Sequence, residues 1–211
     1  MNLLLFGKPG AGKGTQAPRL AEALGVRTLA TGDVLRQAQK DGTTLGLKAK
    51  AFMDKGDLVP DDVILGIVGE ALAKPEYSRG VILDGVIRTV PQAEGLAKVL
   101  VAMQRSLDAV VQFDIDNDEI VGRLSGRTVC ESCQTPYTGR EPGTPCAKCG
   151  GALIRRKDDE PDAVRNRLSV YEKQTAPVLA WYQQHGPRVV TVTAVGDVAD
   201  IAARTLKALG R

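Results

Sequence analysis

The stretch Gly7-Lys8-Pro9-Gly10-Ala11-Gly12-Lys13-Gly14-Thr15 follows a short apolar run, Asn2 to Phe6, and opens a segment of helical periodicity. In that setting glycines let successive backbone N–H groups ring a phosphate, and the helix N-terminus adds favourable partial charge. Lys13 is then placed to bridge the β- and γ-phosphates of a nucleoside triphosphate, where charge shifts during transfer. The general phosphate-loop pattern puts Ser or Thr directly after the lysine, whereas here Gly14 intervenes before Thr15.

A second constellation is Cys130-x-x-Cys133 and Cys146-x-x-Cys149, which holds all four cysteines of the chain. Twelve residues between the pairs allow four thiolates to close a tetrahedron, and four protein ligands leave no open position, so the metal expected is a structural Zn2+. Gly150-Gly151 supply a tight turn after the last thiolate. Residues around this window are too poor in apolar side chains to build a core without a metal.

The elements that must position these groups read as α/β. Short apolar runs (Asn2 to Phe6, Val26 to Leu29, Val81 to Leu83, Ala109 to Phe113, Arg188 to Val192) suit doubly covered parallel strands. Between them lie helical patterns at Lys13 to Leu24, Asp61 to Ala73, Pro91 to Met103, Asp118 to Ser125, Asp162 to Gln184 and Val198 to Leu209. Two stretches break the alternation. Residues 30–59 carry helical segments (Asp33 to Lys40, Leu45 to Lys55) without a strand, and residues 126–159 are rich in Cys, Gly, Pro and Thr. Both are inserts on a core formed by 1–29, 60–125 and 160–211.

Composition narrows the function classes. Twenty-eight basic and 25 acidic residues leave a net charge of +3, too small a surplus to argue for nucleic acid. No apolar run is long enough to span a membrane and the N-terminus lacks a signal peptide's basic region, so a cytoplasmic protein is expected. Asp84, at the end of the third strand, sits where open α/β sheets bind ligands and could hold a magnesium-bound water, as could Asp33. Arg165 and Arg167 lie about 200° apart on a helix, so they cannot both face one site. His185, the only histidine, suits a structural place at a helix end, and Trp181 and Tyr182 are expected to face the core.

The phosphate loop ending Gly-Lys-Gly-Thr-Gln, then Thr31-Gly32-Asp33-Val34-Leu35-Arg36, Leu83-Asp84-Gly85 with Arg88-Thr89 and Gln92, Gly122-Arg123 with Gly126-Arg127, Arg156-Lys157-Asp158-Asp159 and Arg165-x-Arg167 occur in the order of the adenylate kinases. The chain resembles that family over essentially its whole length, and the cysteine window resembles the zinc-bearing lids of some bacterial members. The resemblance implies a P-loop five-stranded parallel sheet, a monophosphate-binding insert at 30–59, a zinc lid at 126–159, and the reaction of Mg-ATP with AMP to give two ADP.

It also implies roles. Gly10, Ala11, Gly12, Lys13, Gly14, Thr15, Arg123, Arg127, Tyr137 and Gly196 are expected to bind ATP. Thr31, Arg36, Asp57, Leu58, Val59, Gly85, Arg88, Gln92, Arg156 and Arg167 are expected at AMP, with the Gln92 amide meeting the adenine edge. Lys13, Arg36, Arg88, Arg123, Arg156 and Arg167 would carry catalysis, with Mg2+ held through Asp33 and Asp84. A monomer with no nucleic-acid or membrane partner is implied. Rival readings are a kinase for UMP, CMP or GMP and a nucleotide-switched zinc ribbon that binds nucleic acid, the latter disfavoured by a lid with one aromatic, Tyr137. Two departures from the family stand out. Lys8 replaces a proline, and Val86-Ile87 replace Phe-Pro, so the third strand is expected to run slightly longer and monophosphate binding to be weaker.

Overall fold

The computed structural model describes all 211 residues apart from the side chain of Leu45. Five parallel strands form the central sheet: β1 (Asn2–Phe6), β2 (Arg27–Ala30), β3 (Val81–Asp84), β4 (Ala109–Asp114) and β8 (Val189–Thr193). Their order is β2-β3-β1-β4-β8. Side-chain alternation divides the core into two layers. Leu4 and Phe6 of β1 pack on one face with Leu83 and Val110, whereas Leu3 and Leu5 pack on the other with Ile82 and Val111. The first layer is covered by α4 (Asp61–Leu72), α5 (Val90–Ala102) and α8 (Ala176–His185), and the second by α1 (Lys13–Leu24), α6 (Asn117–Ser125) and α9 (Val198–Ala208). Because β1 has β3 on one side and β4 on the other, the strand order reverses at its carboxyl end, where such sheets open a crevice for ligand.

Between β2 and α4 lie α2 (Thr31–Lys40) and α3 (Thr44–Met53), packed on each other. Residues 126–159 are more ordered than their composition suggested. They form an antiparallel sheet of β5 (Arg127–Cys130), β6 (Pro136–Thr138) and β7 (Leu153–Ile154), in the order β6-β5-β7.

Two expectations are corrected. The stretch read as one helix from Asp162 to Gln184 is α7 (Pro161–Val170), a π turn at Tyr171–Thr175, and then α8. Pro177 has no N–H for the carbonyl four residues back, and its ring crowds that carbonyl, so the ladder is reset just before it. β3 ends at Asp84 instead of running into Val86-Ile87. Gly85 turns the chain there, and Val86 and Ile87 are 1 % and 3 % exposed, buried in the first core layer. Trp181 and Tyr182 both face the first core layer as expected, Tyr182 buried in it and Trp181 partly buried against it. The Trp181 ring stacks on His185, whose Nδ1 lies 3.1 Å from the Trp181 carbonyl oxygen.

Candidate active site and metal centre

The loop between β1 and α1 lies at the carboxyl edge of the sheet. Gly7 has φ of +138°, and a Cβ there would stand 2.6 Å from the Phe113 carbonyl oxygen, so the loop can pass over β4 only with glycine. Lys13, in the first turn of α1, donates to the carbonyl oxygens of Gly7 at 2.6 Å and Lys8 at 2.9 Å. Its ammonium is thereby folded over the loop. Burial pushes its pKa down to about 8, against the attraction of Asp84. Burial likewise raises the Asp84 carboxyl above its ordinary value, with Lys13 opposing.

Every residue expected at ATP, AMP or magnesium lines one cavity of about 680 Å³. The loop residues Gly10 to Thr15 form its floor beside Asp84, Gly85 and Arg88 from the end of β3 and the turn after it. Thr31, Asp33 and Arg36 enter from α2, and Asp57, Leu58 and Val59 from the segment after α3. Arg123 comes from α6, Arg127 and Tyr137 from the lid sheet, Arg156 from the stretch after it, Arg167 from α7, and Gly196 from the turn before α9.

Seven cations among these linings face four carboxylates, so the cavity is electropositive. The pairs hold the guanidiniums in place. Arg36 pairs with Asp33, and Arg127 with Asp159. Arg167 donates to the Asp158 carbonyl oxygen at 2.8 Å and lies 3.2 Å from the carboxylates of both Asp158 and Asp159. Arg156 lies 3.9 Å from Asp33, linking the lid to the helical insert. Arg123 donates to the Ala194 carbonyl oxygen at 2.8 Å. Burial first, then Arg167, pulls Arg88 down to about 10, and burial first, then Arg36, does the same to Arg156. Arginine stays protonated nonetheless, so these shifts register crowding of desolvated cations that a polyanion would relieve. Arg165, on the opposite side of α7, pairs with Asp162 with 72 % of its side chain exposed, as the helical angle required.

Around the turn after β3, Thr31 Oγ1 and Arg88 Nε both donate to the Gly85 carbonyl oxygen, at 3.1 and 3.3 Å. Gln92 is 1 % exposed. Its Oε1 accepts from the Arg88 backbone N–H at 2.7 Å, and its Nε2 donates to Asp61 at 2.7 Å. Asp61 was read from sequence only as a helix start. Asp158 and Asp159, quoted only as motif letters, turn out to anchor two site arginines.

The four thiols are unbridged, and their Sγ atoms all lie within 4.8 Å of one another. Cys130 and Cys149 Sγ are 3.4 Å apart and Cys133 and Cys146 Sγ 3.6 Å, near the edge of about 3.8 Å for a ZnS4 tetrahedron and far beyond a disulfide. Backbone N–H groups of Cys133 and Lys148 point at Cys130 and Cys146 sulfurs at 3.4 and 3.3 Å. The hydroxyls of Thr135 and Tyr137 lie 3.1 Å from Cys133 and Cys146 sulfurs. Hydrogen bonding, chiefly from Tyr137, brings the Cys146 thiol down to about 6. A Cβ on Gly151 would stand 3.0 Å from Cys130 Sγ, so glycine is required where the chain closes on the cluster. The donor set therefore fits Zn2+.

The chain matches the family model for adenylate kinase over residues 5–187. It is 58 % identical over 211 residues to an adenylate kinase of Gemmatimonas aurantiaca, covering 99 % of each chain. It is 45 % identical over 214 residues to an adenylate kinase of Syntrophotalea carbinolica, covering 100 % of this chain and 99 % of the other.

Proposed function

From the premise that this chain belongs to the adenylate kinase family and is an enzyme that turns ATP and AMP into two ADP, we propose how its own residues divide that work. The core of 1–29, 60–125 and 160–211 binds the ATP phosphates, the insert at 30–59 receives AMP, and residues 126–159 close as a lid. The observation that carries this reading is the single cavity where the phosphate loop and six arginines from six separate segments converge.

Arg36 and Arg88 hold the AMP phosphate, with the Gly85 carbonyl fixing Arg88 beside Thr31. The Asp57 to Val59 segment and Gln92 enclose the adenine of AMP, and Tyr137, Arg123 and Gly196 that of ATP. Lys13, released from its loop carbonyls, follows the charge on the migrating phosphoryl group, and Arg127, Arg156 and Arg167 close over its equatorial oxygens. Bidentate guanidiniums place the AMP oxygen in line with the phosphorus, which converts a bimolecular encounter into a positioned one. The lid excludes water, so ATP is not hydrolysed instead.

Asp84 fits a magnesium-bound water, since it is a partly buried carboxylate beside the loop that gains from a cation, and Asp33 joins it. Held there through Asp84 and Asp33, Mg2+ would supply positive charge against the ATP phosphates. Zn2+ on the four thiolates is structural.

No helix is long and apolar enough to cross a membrane. Four unbridged thiols support a reducing, cytoplasmic setting, and a cavity completed by one chain supports action as a monomer. Formation of ADP from ATP with AMP, UMP, CMP or GMP in turn, with and without magnesium, tests the reading. AMP should be strongly preferred and magnesium required; comparable rates with UMP or GMP would overturn the assignment of the base site.

A further inference from the structure

Reading a purine edge with a glutamine requires that the amide be held one way round, because its oxygen and nitrogen differ by a half-turn of the side chain. In this protein that orientation is set from two sides. The Arg88 backbone N–H can only donate, and it meets Gln92 Oε1 at 2.7 Å. The Asp61 carboxylate can only accept, and it meets Gln92 Nε2 at 2.7 Å. Flipping the amide would set donor against donor at Arg88 and acceptor against acceptor at Asp61. Asp61 is held in turn by Thr89, whose Oγ1 lies 3.2 Å from each carboxylate oxygen. Thr89 also caps α5 by accepting from the Gln92 backbone N–H at 3.2 Å, so the first turns of α4 and α5 form one network.

Gln92 lines the cavity, whereas Asp61 and Thr89 do not. After its two fixed bonds the amide keeps one N–H and one oxygen lone pair. An adenine edge matches that pair, with N1 accepting and the 6-amino group donating. Hypoxanthine has the same ring shape but reverses both, with N1–H donating and O6 accepting. We propose that Asp61 is a specificity-positioning residue: by locking the Gln92 amide, it makes the monophosphate site accept 6-aminopurine and reject 6-oxopurine nucleotides. The inference rests on the assignment of Gln92 to the AMP base.

Asp61→Asn is the informative substitution. An asparagine at this position can turn its own amide to present either an oxygen or an N–H, so it tolerates both orientations of Gln92 and leaves only Arg88 to resist the flip. The expected result is a several-fold rise in KM for AMP. The ratio of kcat/KM for AMP to that for IMP should narrow about tenfold, the scale of one charge-assisted hydrogen bond. KM for ATP should be unchanged. An unchanged ratio, or equal losses on AMP and IMP, would overturn the proposal by reducing Asp61 to a structural role. In the unaltered protein, a Gln92 side-chain amide exchanging hydrogen at the rate of a free amide would also overturn it, and strong protection is expected. Should the unaltered enzyme itself fail to prefer AMP over IMP, the placement of Gln92 at the base would fall, an outcome distinct from a wild-type preference that survives Asp61→Asn.

Discussion

Lys13 is where burial and the catalytic role proposed above meet on the same atom. Its pKa of about 8 lies below the 10.5 of an exposed lysine, and burial is the cause. Below pH 8 the ammonium is charged in both folded and unfolded chains, and the folded state bears the desolvation. Between about 8 and 10.5 the unfolded chain holds more protons, so this residue's contribution makes the ligand-free protein more stable as pH rises. A polyphosphate reverses the shift by supplying the missing anion. At pH 9, ATP binding should therefore take up about one proton, and affinity should weaken as pH climbs past 8. Calorimetry in buffers of different ionisation enthalpy reads this directly, and the absence of proton uptake would refute it. Lys13→Ala should lose about a hundred- to a thousandfold in turnover while remaining at least as stable at pH 7, because the removed charge served the phosphoryl group and not the packing. A purified variant that kept most of its turnover would take Lys13 out of the reaction. The loop and its lysine were legible because both are local in sequence; the helical angle said only that Arg165 and Arg167 cannot share one site, and the family resemblance favoured Arg167. Asp61 was not legible, since its partner Gln92 is thirty-one residues away and only packing of α4 on α5 brings them together.

Among the elements, β1, α1 and β4 could be read closely because their apolar runs are bounded by glycine, proline or aspartate. The π turn could not. Apolar spacing runs through Tyr171 without a gap, and only the proline at 177 signals that the hydrogen-bond ladder is interrupted. The lid strands escaped because they are two to four residues long and gather around the four-thiol cluster, with little apolar pattern of their own. Only Cys130, Cys146 and Leu153 form a buried cluster there, so two of its three members belong to the four-thiol cluster. Removing Zn2+ with a chelator and a mild thiol reagent should thus melt the lid well before the core, with faster amide exchange at 127–154 and little change in β1, β3 and β4. The protein as purified should contain one metal ion per chain. Elemental analysis without stoichiometric metal, or exchange that rises evenly over the whole chain, would count against a structural zinc. Tyr137 makes a consequence for function testable in the same sample, because its ring lines the cavity while its hydroxyl touches Cys146: ATP affinity should fall with the metal, and AMP affinity much less.

For the whole molecule, the decisive quantity is the repulsion among cations drawn from separate parts of the chain. Arg36 on the helical insert, Arg88 on the core and Arg156 beside the lid sheet surround one cavity, and the desolvation of Arg88 and Arg156 brings both down to about 10. Such a cluster favours separation of its carriers in the free protein. Between the lid and the helical insert the compensation is one long ion pair, Arg156 with Asp33 at 3.9 Å, while Arg167 of the core holds Asp158 and Asp159 at the lid's end at 3.2 Å. A ligand carrying several phosphates inverts the balance, since each guanidinium then gains charge-assisted hydrogen bonds and the lid and insert are drawn toward the core. Two results should follow together. A bisubstrate analogue joining two adenosines through a polyphosphate should bind far more tightly than either nucleotide, because it meets the ATP and AMP phosphate positions at once. It should also reduce the radius of gyration measured by X-ray scattering. Raising ionic strength in the absence of ligand should produce part of that compaction, by screening the cations from one another. Scattering dimensions that stay fixed on saturation with the analogue would mean that the cavity is closed without its anion, and that arginine crowding does not govern the lid.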